Sequence, residues 1–211
     1  MPIIKESEST FKPVPAGAHA ARCYAMVCIG TQRSANPQFM PQLQVILCFE
    51  IPSEKVEYQG EMRPMVVNQF LNAFLGRPNK PSNTRKFIES WRGKAFTDAE
   101  MKGFDLSKVV GSPCLLNIIH EDKNGKTREK IASISPLPKG MTIEKQFHKP
   151  VVYEIEHGRN ETFNALPEWL RKKIEACEEW NEPQRATSED EASNASADAA
   201  ATEKKDDDIP F

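Results

Sequence analysis

Flat and cationic side chains recur at a two-residue spacing along this chain. Arg22 and Tyr24 alternate in "ARCYAMVCI", and Asn68 and Phe70 do so in "PMVVNQFL". In "DKNGKTREK", Lys123 precedes Asn124-Gly125, and Lys126, Arg128 and Lys130 then fall on one side of an extended chain. Two further stretches are basic: "GTQRSANPQFM" holds Arg33 and Phe39, and "GRPNKPSNTRK" holds Arg77, Lys80, Arg85 and Lys86. Rings present π-faces on which bases stack, and cations track phosphates without reading sequence, so the set fits an unpaired nucleic-acid strand. Taken singly, each residue is as well explained as a solvated cation or as a ring packed under a loop. The expectation concerns the group.

Other chemistries have less support. "FEIPSEK" gathers Glu50, Glu54 and Lys55 as a metal-dependent nuclease would, but Pro52-Ser53 reads as a turn and no Asp precedes it at motif spacing. His19, His120, His148 and His157 are scattered, and with the cysteines they give neither CxxC nor HxxxH, so a zinc site is unsupported. The glycines form no phosphate-cradling loop. The chain reads as a non-enzyme, with no cofactor and no metal. A rival in another class is an adaptor barrel that binds protein and never touches nucleic acid.

The elements that would position these residues begin with strands. Ala21, Cys23, Ala25, Val27 and Ile29 make one apolar face, with Arg22, Tyr24 and Met26 on the other. "QLQVILCFEI" repeats the pattern, with Leu43, Val45, Leu47, Phe49 and Ile51 inward and Gln42, Gln44 and Glu50 outward. Residues 64–71 form a less regular third strand. Ser82 or Asn83 caps a helix over "TRKFIESWRG" that buries Phe87, Ile88 and Trp91 and stops at Gly93. Thr97 to Glu100 has capping-box spacing. "PCLLNIIHE" and "TREKIASI" then flank the hairpin signal Asn124-Gly125. The last helical pattern, "LPEWLRKKIEACEEW", aligns Leu166, Trp169, Leu170, Ile174 and Cys177 on a docking face, with Pro167 in the first turn and Trp169 and Trp180 assigned to that packing. Segment 142–165 reads as an added strand plus covering loop. The order is that of a mainly β fold: a five-stranded oligonucleotide/oligosaccharide-binding (OB) barrel with a helical insertion between strands 3 and 4 and a C-terminal helix.

Three of those blocks, "VPAGAHAARCYAMVCIGTQ", "IESWRGKAFTDAEMKGFDLSKVVGSPCLLNIIH" and "ASISPLPKGM", resemble a family of bacteriophage single-stranded DNA-binding proteins with an OB fold. The resemblance covers residues 11–180, and Trp91 to Gly111 is its most specific part. It implies single-stranded DNA as partner in phage replication and recombination.

Bulk properties divide the chain in two. Its 211 residues are 39% hydrophobic and 27% charged, with no apolar run of membrane-span length and no signal-like start, so a cytoplasmic protein without a membrane is expected. Cys23, Cys28, Cys48, Cys114 and Cys177 read as buried free thiols. The net charge of −2 splits unevenly: residues 181–211 hold nine acids and three bases, a net of −6, leaving +4 on residues 1–180. Residues 1–180 are therefore the binding domain, and residues 181–211, rich in Ala, Ser, Asp and Glu, read as a disordered acidic tail. Its "DDDIPF" resembles the acidic tip with which bacterial single-stranded DNA-binding proteins recruit replication and repair enzymes. Asp206, Asp207 and Asp208 would attract a basic partner at long range. Ile209, Pro210 and Phe211, with the α-carboxylate, would then fill an apolar pocket and meet an Arg or Lys. The spacer before the tip reaches roughly 25–30 Å. A homo-oligomer built on an outward Met26 or Ile46 is compatible with the pattern but not dictated by it.

Overall fold

The computed structural model describes residues 12–34, 36–77, 79–123 and 125–181. The expected tail and its docking tip, Asn124 of the expected turn, and the side chains of Lys123 and Lys126 lie outside the described residues. The described elements are β1 (Gly17–Gln32), β2 (Gln42–Tyr58), β3 (Glu61–Asn72), the short pair β4 (Gly76–Arg77) and β5 (Lys80–Pro81), α1 (Asn83–Arg92), α2 (Asp98–Lys102), β6 (Pro113–Lys123), β7 (Lys126–Ser135), β8 (Val151–Tyr153), α3 (Glu161–Ala165), α4 (Glu168–Glu175) and α5 (Glu178–Asn181).

Five long strands pair antiparallel in the order β3-β2-β1-β6-β7, and β8 adds a parallel partner to β1. The sheet is strongly curled into a half-barrel. The curl is visible in the side chains: Ile131 and Ala132 of β7 line the same cavity as Gln69 to Asn72 of β3, although those strands stand at opposite ends of the pairing order.

The inner face follows the alternation. Val45, Leu47, Phe49 and Ile51 are buried, and α1 closes over them, its Phe87 and Trp91 rings centred 6.3 and 5.3 Å from that of Phe49. Burying rings of this size stabilises by about 1.5–3 kcal/mol each. Trp91 also satisfies its indole N–H on the Pro113 carbonyl at 3.0 Å. Ser82 caps α1 by accepting from the Arg85 amide, and Gly93 ends the helix at a φ of 65°. The Thr97–Glu100 capping box forms as the spacing indicates.

The outer face departs from the alternation. Glu50 and Ile46, expected outward, are buried there, whereas the bulge between Cys23 and Ala25 shifts the phase of β1, moving Met26 to the inner face beside Leu47 and Val27 to the outer one. Register puts Val27, Ile46 and Phe70 in one row across β1, β2 and β3, and Trp169 of α4 lies 6.5 Å from Phe70, so α4 covers this face. Beside it, Phe147 and His148 cap Glu50 through their backbone amides. Residues 142–181 thus form a second layer, with β8 as the added strand and residues 147–148 as the cover expected of segment 142–165, and Met26 and Ile46 are spent within the chain instead of offering a dimer face. Leu43, expected inward, is 41% exposed where β2 begins to pair. Pro52 and Ser53 do not turn the chain; they lie inside β2 at a register shift between Ile51 and Lys55. Pro167 caps α4 from outside its first turn.

Close approach on β1 demands one glycine. Gly30 has φ +72°, and a Cβ there would lie 2.6 Å from the Cys177 Cβ. Thr31 beside it donates its amide and hydroxyl to the Glu179 carboxylate at 2.6–2.9 Å, which fixes α5 to the end of β1.

Candidate nucleic-acid interface

The expected contact residues fall into three groups. The first sits where β3 ends and the chain turns into α1. Phe70 (45% exposed) and Phe74 (60% exposed) line a cavity of about 450 Å³ with Ser82, Asn83 and Thr84. Between Phe74 and Ser82 lies the β4–β5 ribbon, which sets Arg77 directly opposite Lys80, both exposed. The ribbon is pinned at its base: the Ser82 amide donates to the Leu75 carbonyl at 3.2 Å, and the Ser82 hydroxyl donates to the Phe74 carbonyl. Thr84 donates to the Asn72 carbonyl at 2.6 Å, joining α1 to the end of β3. Lys86 is exposed, whereas Arg85 is engaged with Glu89 at 2.8 Å. The Ala73 amide donates to the Leu43 carbonyl, which brings the start of β2, and so the loop carrying Phe39, toward the same region. Phe39 is exposed, and Arg33 is ion-paired with Glu178 at 2.6 Å.

The second group lies under residues 142–150. Tyr24 occupies a β-bulge of β1, and one face of its ring is stacked on His148 with centroids 4.5 Å apart. Burial, with Cys48 nearby, pushes its phenol well above the ordinary value. Arg22 is half-buried opposite Glu50, and Asn68 stands opposite Cys48 with its Oδ1 buried and unpartnered among the described residues. These three share a face with Phe70, but the covering segment separates them from solvent more than alternation suggests.

The third group is the β6–β7 hairpin. Arg128 is exposed opposite Glu121, and Lys130 reaches Glu121 at 2.5 Å, so one acid partly neutralises the strip. Lys123 and Lys126 pair across the hairpin end. Lys130 directly precedes Ile131, which lines the Phe70–Phe74 cavity, so the curl carries this strand back to the first group.

Phe74 is outside the expected set, although its place four residues past Phe70 and beside the basic loop marks it. Trp169, expected on the docking face, meets Phe70 but stays 41% exposed, while Leu170 and Ile174 are the buried residues of that helix. The carboxylate group in "FEIPSEK" is dispersed: Glu50 binds residues 147–148, Glu54 lies 3.6 Å from His19, and Lys55 pairs with Glu144. Among the described residues, no three histidine, cysteine or carboxylate side chains are grouped to hold a metal ion. Among them, too, no helix is long and apolar enough to cross a membrane.

No family model matches this chain, and no curated protein matches it.

Proposed function

We propose that this chain is a non-catalytic, largely sequence-independent single-stranded DNA-binding protein built on an OB-type barrel. The order of three long strands, a helix and two long strands supports the barrel reading. The observation that carries the function is the rim where exposed Phe70 and Phe74 share a cavity and the ribbon beside it presents Arg77 and Lys80. Aromatic platforms next to cations hold unpaired strands because every base has a π-face and every nucleotide a phosphate. A duplex hides its base faces, so rings add nothing there. Protection of unpaired DNA in phage replication and recombination follows from that preference and from the resemblance of residues 11–180. Within the same proposal, the segment Asp206 to Phe211 recruits replication and recombination proteins, and deleting it removes recruitment while leaving DNA affinity equal or higher.

Titration of the folded protein with an oligo-dT strand, against a duplex of equal length, tests the reading. Strand binding that weakens in the Phe70→Ala, Phe74→Ala double variant supports it. A protein-only adaptor would ignore both nucleic acids.

A further inference from the structure

We infer that α4 carries a base-stacking step of the strand-binding site, with Trp169 as the platform for an unpaired base and Lys173 as the contact to its phosphate; this rests on the strand-binding reading above. Trp169 is a large ring left 41% exposed on a helix whose buried side chains are Leu170 and Ile174, so its contact with Phe70 leaves much of the indole open to a ligand. It stands 6.5 Å from Phe70, with the two rings inclined by 48°. At that separation the rings touch and leave no slot between them, so a base stacks on the free face of Trp169 and not between the pair. Phe70 backs the indole and joins this step to the cavity rim that also holds Phe74.

The charge beside the ring is of the right sign and is free to move. Lys173 is one helical turn from Trp169 and exposed, with its ammonium 5.5 Å from the centre of the Phe70 ring. An exposed cation–ring contact is weak. A phosphate therefore competes for that ammonium more easily than for Lys172, which is bonded to Glu168 at 2.7 Å, or for Arg33, bonded to Glu178. An unpaired nucleotide offers both a flat apolar face and an adjacent anion, matching ring and cation at this spacing. A peptide would have to supply an aromatic or apolar group and an acid at the same offset.

Tryptophan emission reads the site directly, since Trp91 is buried and Trp180 packs on Phe163 with ring centroids 5.1 Å apart. In the full chain, oligo-dT is expected to quench the wild type. The Trp169→Phe variant keeps a ring, holds affinity within about threefold, and loses most of the quench. The Trp169→Ala variant, checked by its cooperative melt, binds about 5- to 150-fold more weakly. Lys173→Gln lowers the slope of log K against log salt by about 0.7. If the wild type binds oligo-dT but quench and affinity survive in both Trp169 variants, the α4 step is wrong and the general reading stands. If the wild type does not bind oligo-dT at all, both fall.

Discussion

His148 sets its Nδ1 2.8 Å from Oε2 of Glu50, and the same carboxylate accepts the backbone amides of His148 and Phe147 at 2.9 and 3.1 Å. Glu50 is fully buried by this contact, and His148 in turn stacks on Tyr24. One acid on β2 thus anchors a segment 97–98 residues later over the outer face of the sheet. Glu50→Ala leaves those donors without an acceptor inside the protein. The expected loss is about 1–3 kcal/mol of folding stability, the cost of leaving buried donors unsatisfied. Urea unfolding measures it, and a loss below about 1 kcal/mol would mean that water or another group replaces the carboxylate.

Gly30→Ala puts a methyl group into Cys177 in a left-handed backbone conformation. Left-handed geometry alone costs about 1–2 kcal/mol in an L-residue, and the clash adds to it. The variant should melt earlier, and hydrogen exchange should quicken over residues 168–181 before it does so over β2.

Acid should open α2 ahead of the sheet. The Glu100 carboxyl titrates at about 2, held down first by the Thr97 backbone amide and next by the Arg92 guanidinium. A folded-state value below the ordinary 4.5 gives a contribution that is present in full above pH 4.5 and lost as pH falls toward 2. The stability gap between wild type and Glu100→Gln should therefore shrink across that window. A gap that stays constant from neutral pH to pH 2 would remove the capping box as its cause.

All five cysteines are free and buried. Burial pushes Cys48 up to about 12 and Cys177 up to about 11, and raises Cys23, Cys28 and Cys114 as well. Thiolate is the reactive form, so a thiol reagent at pH 8 should label the folded chain slowly and all five sites rapidly in denaturant. Fast labelling of any one cysteine would show that its segment opens locally.

How far the sequence announced this molecule depends on the range of the interaction. Val45, Leu47, Phe49 and Ile51 were legible because alternation is a local property that one buried face imposes. Ser82, Gly93 and the Thr97–Glu100 pair were legible because caps act within a single turn. Glu50 was not, since a carboxylate on the polar phase of a strand reads as solvated, and its donors come from residues 147–148. The same distance hid Ile46, while Met26 was hidden by the bulge at Tyr24, which shifts the alternation of β1 and sets Met26 beside Leu47. At the candidate interface, Phe70 and the basic loop were named from their types and spacing, whereas Trp169 was absorbed into a helical face. Trp169 stands at the edge of the face that Leu170 and Ile174 occupy, and only the packing separates the side chains that are buried from the ring that is left partly exposed.

Oligo-dT affinity measured over a range of salt concentrations is the most direct test of single-strand binding. The account predicts tight binding by the full chain in dilute buffer and a much weaker grip on duplex. It also predicts a linear fall of log K with log salt, of slope about −0.7 for each phosphate neutralised. With a net charge of only +4 on residues 1–180, that slope corresponds to a handful of contacts. A folded protein that leaves oligo-dT unbound at low salt, or binds it with no dependence on salt, would contradict the account.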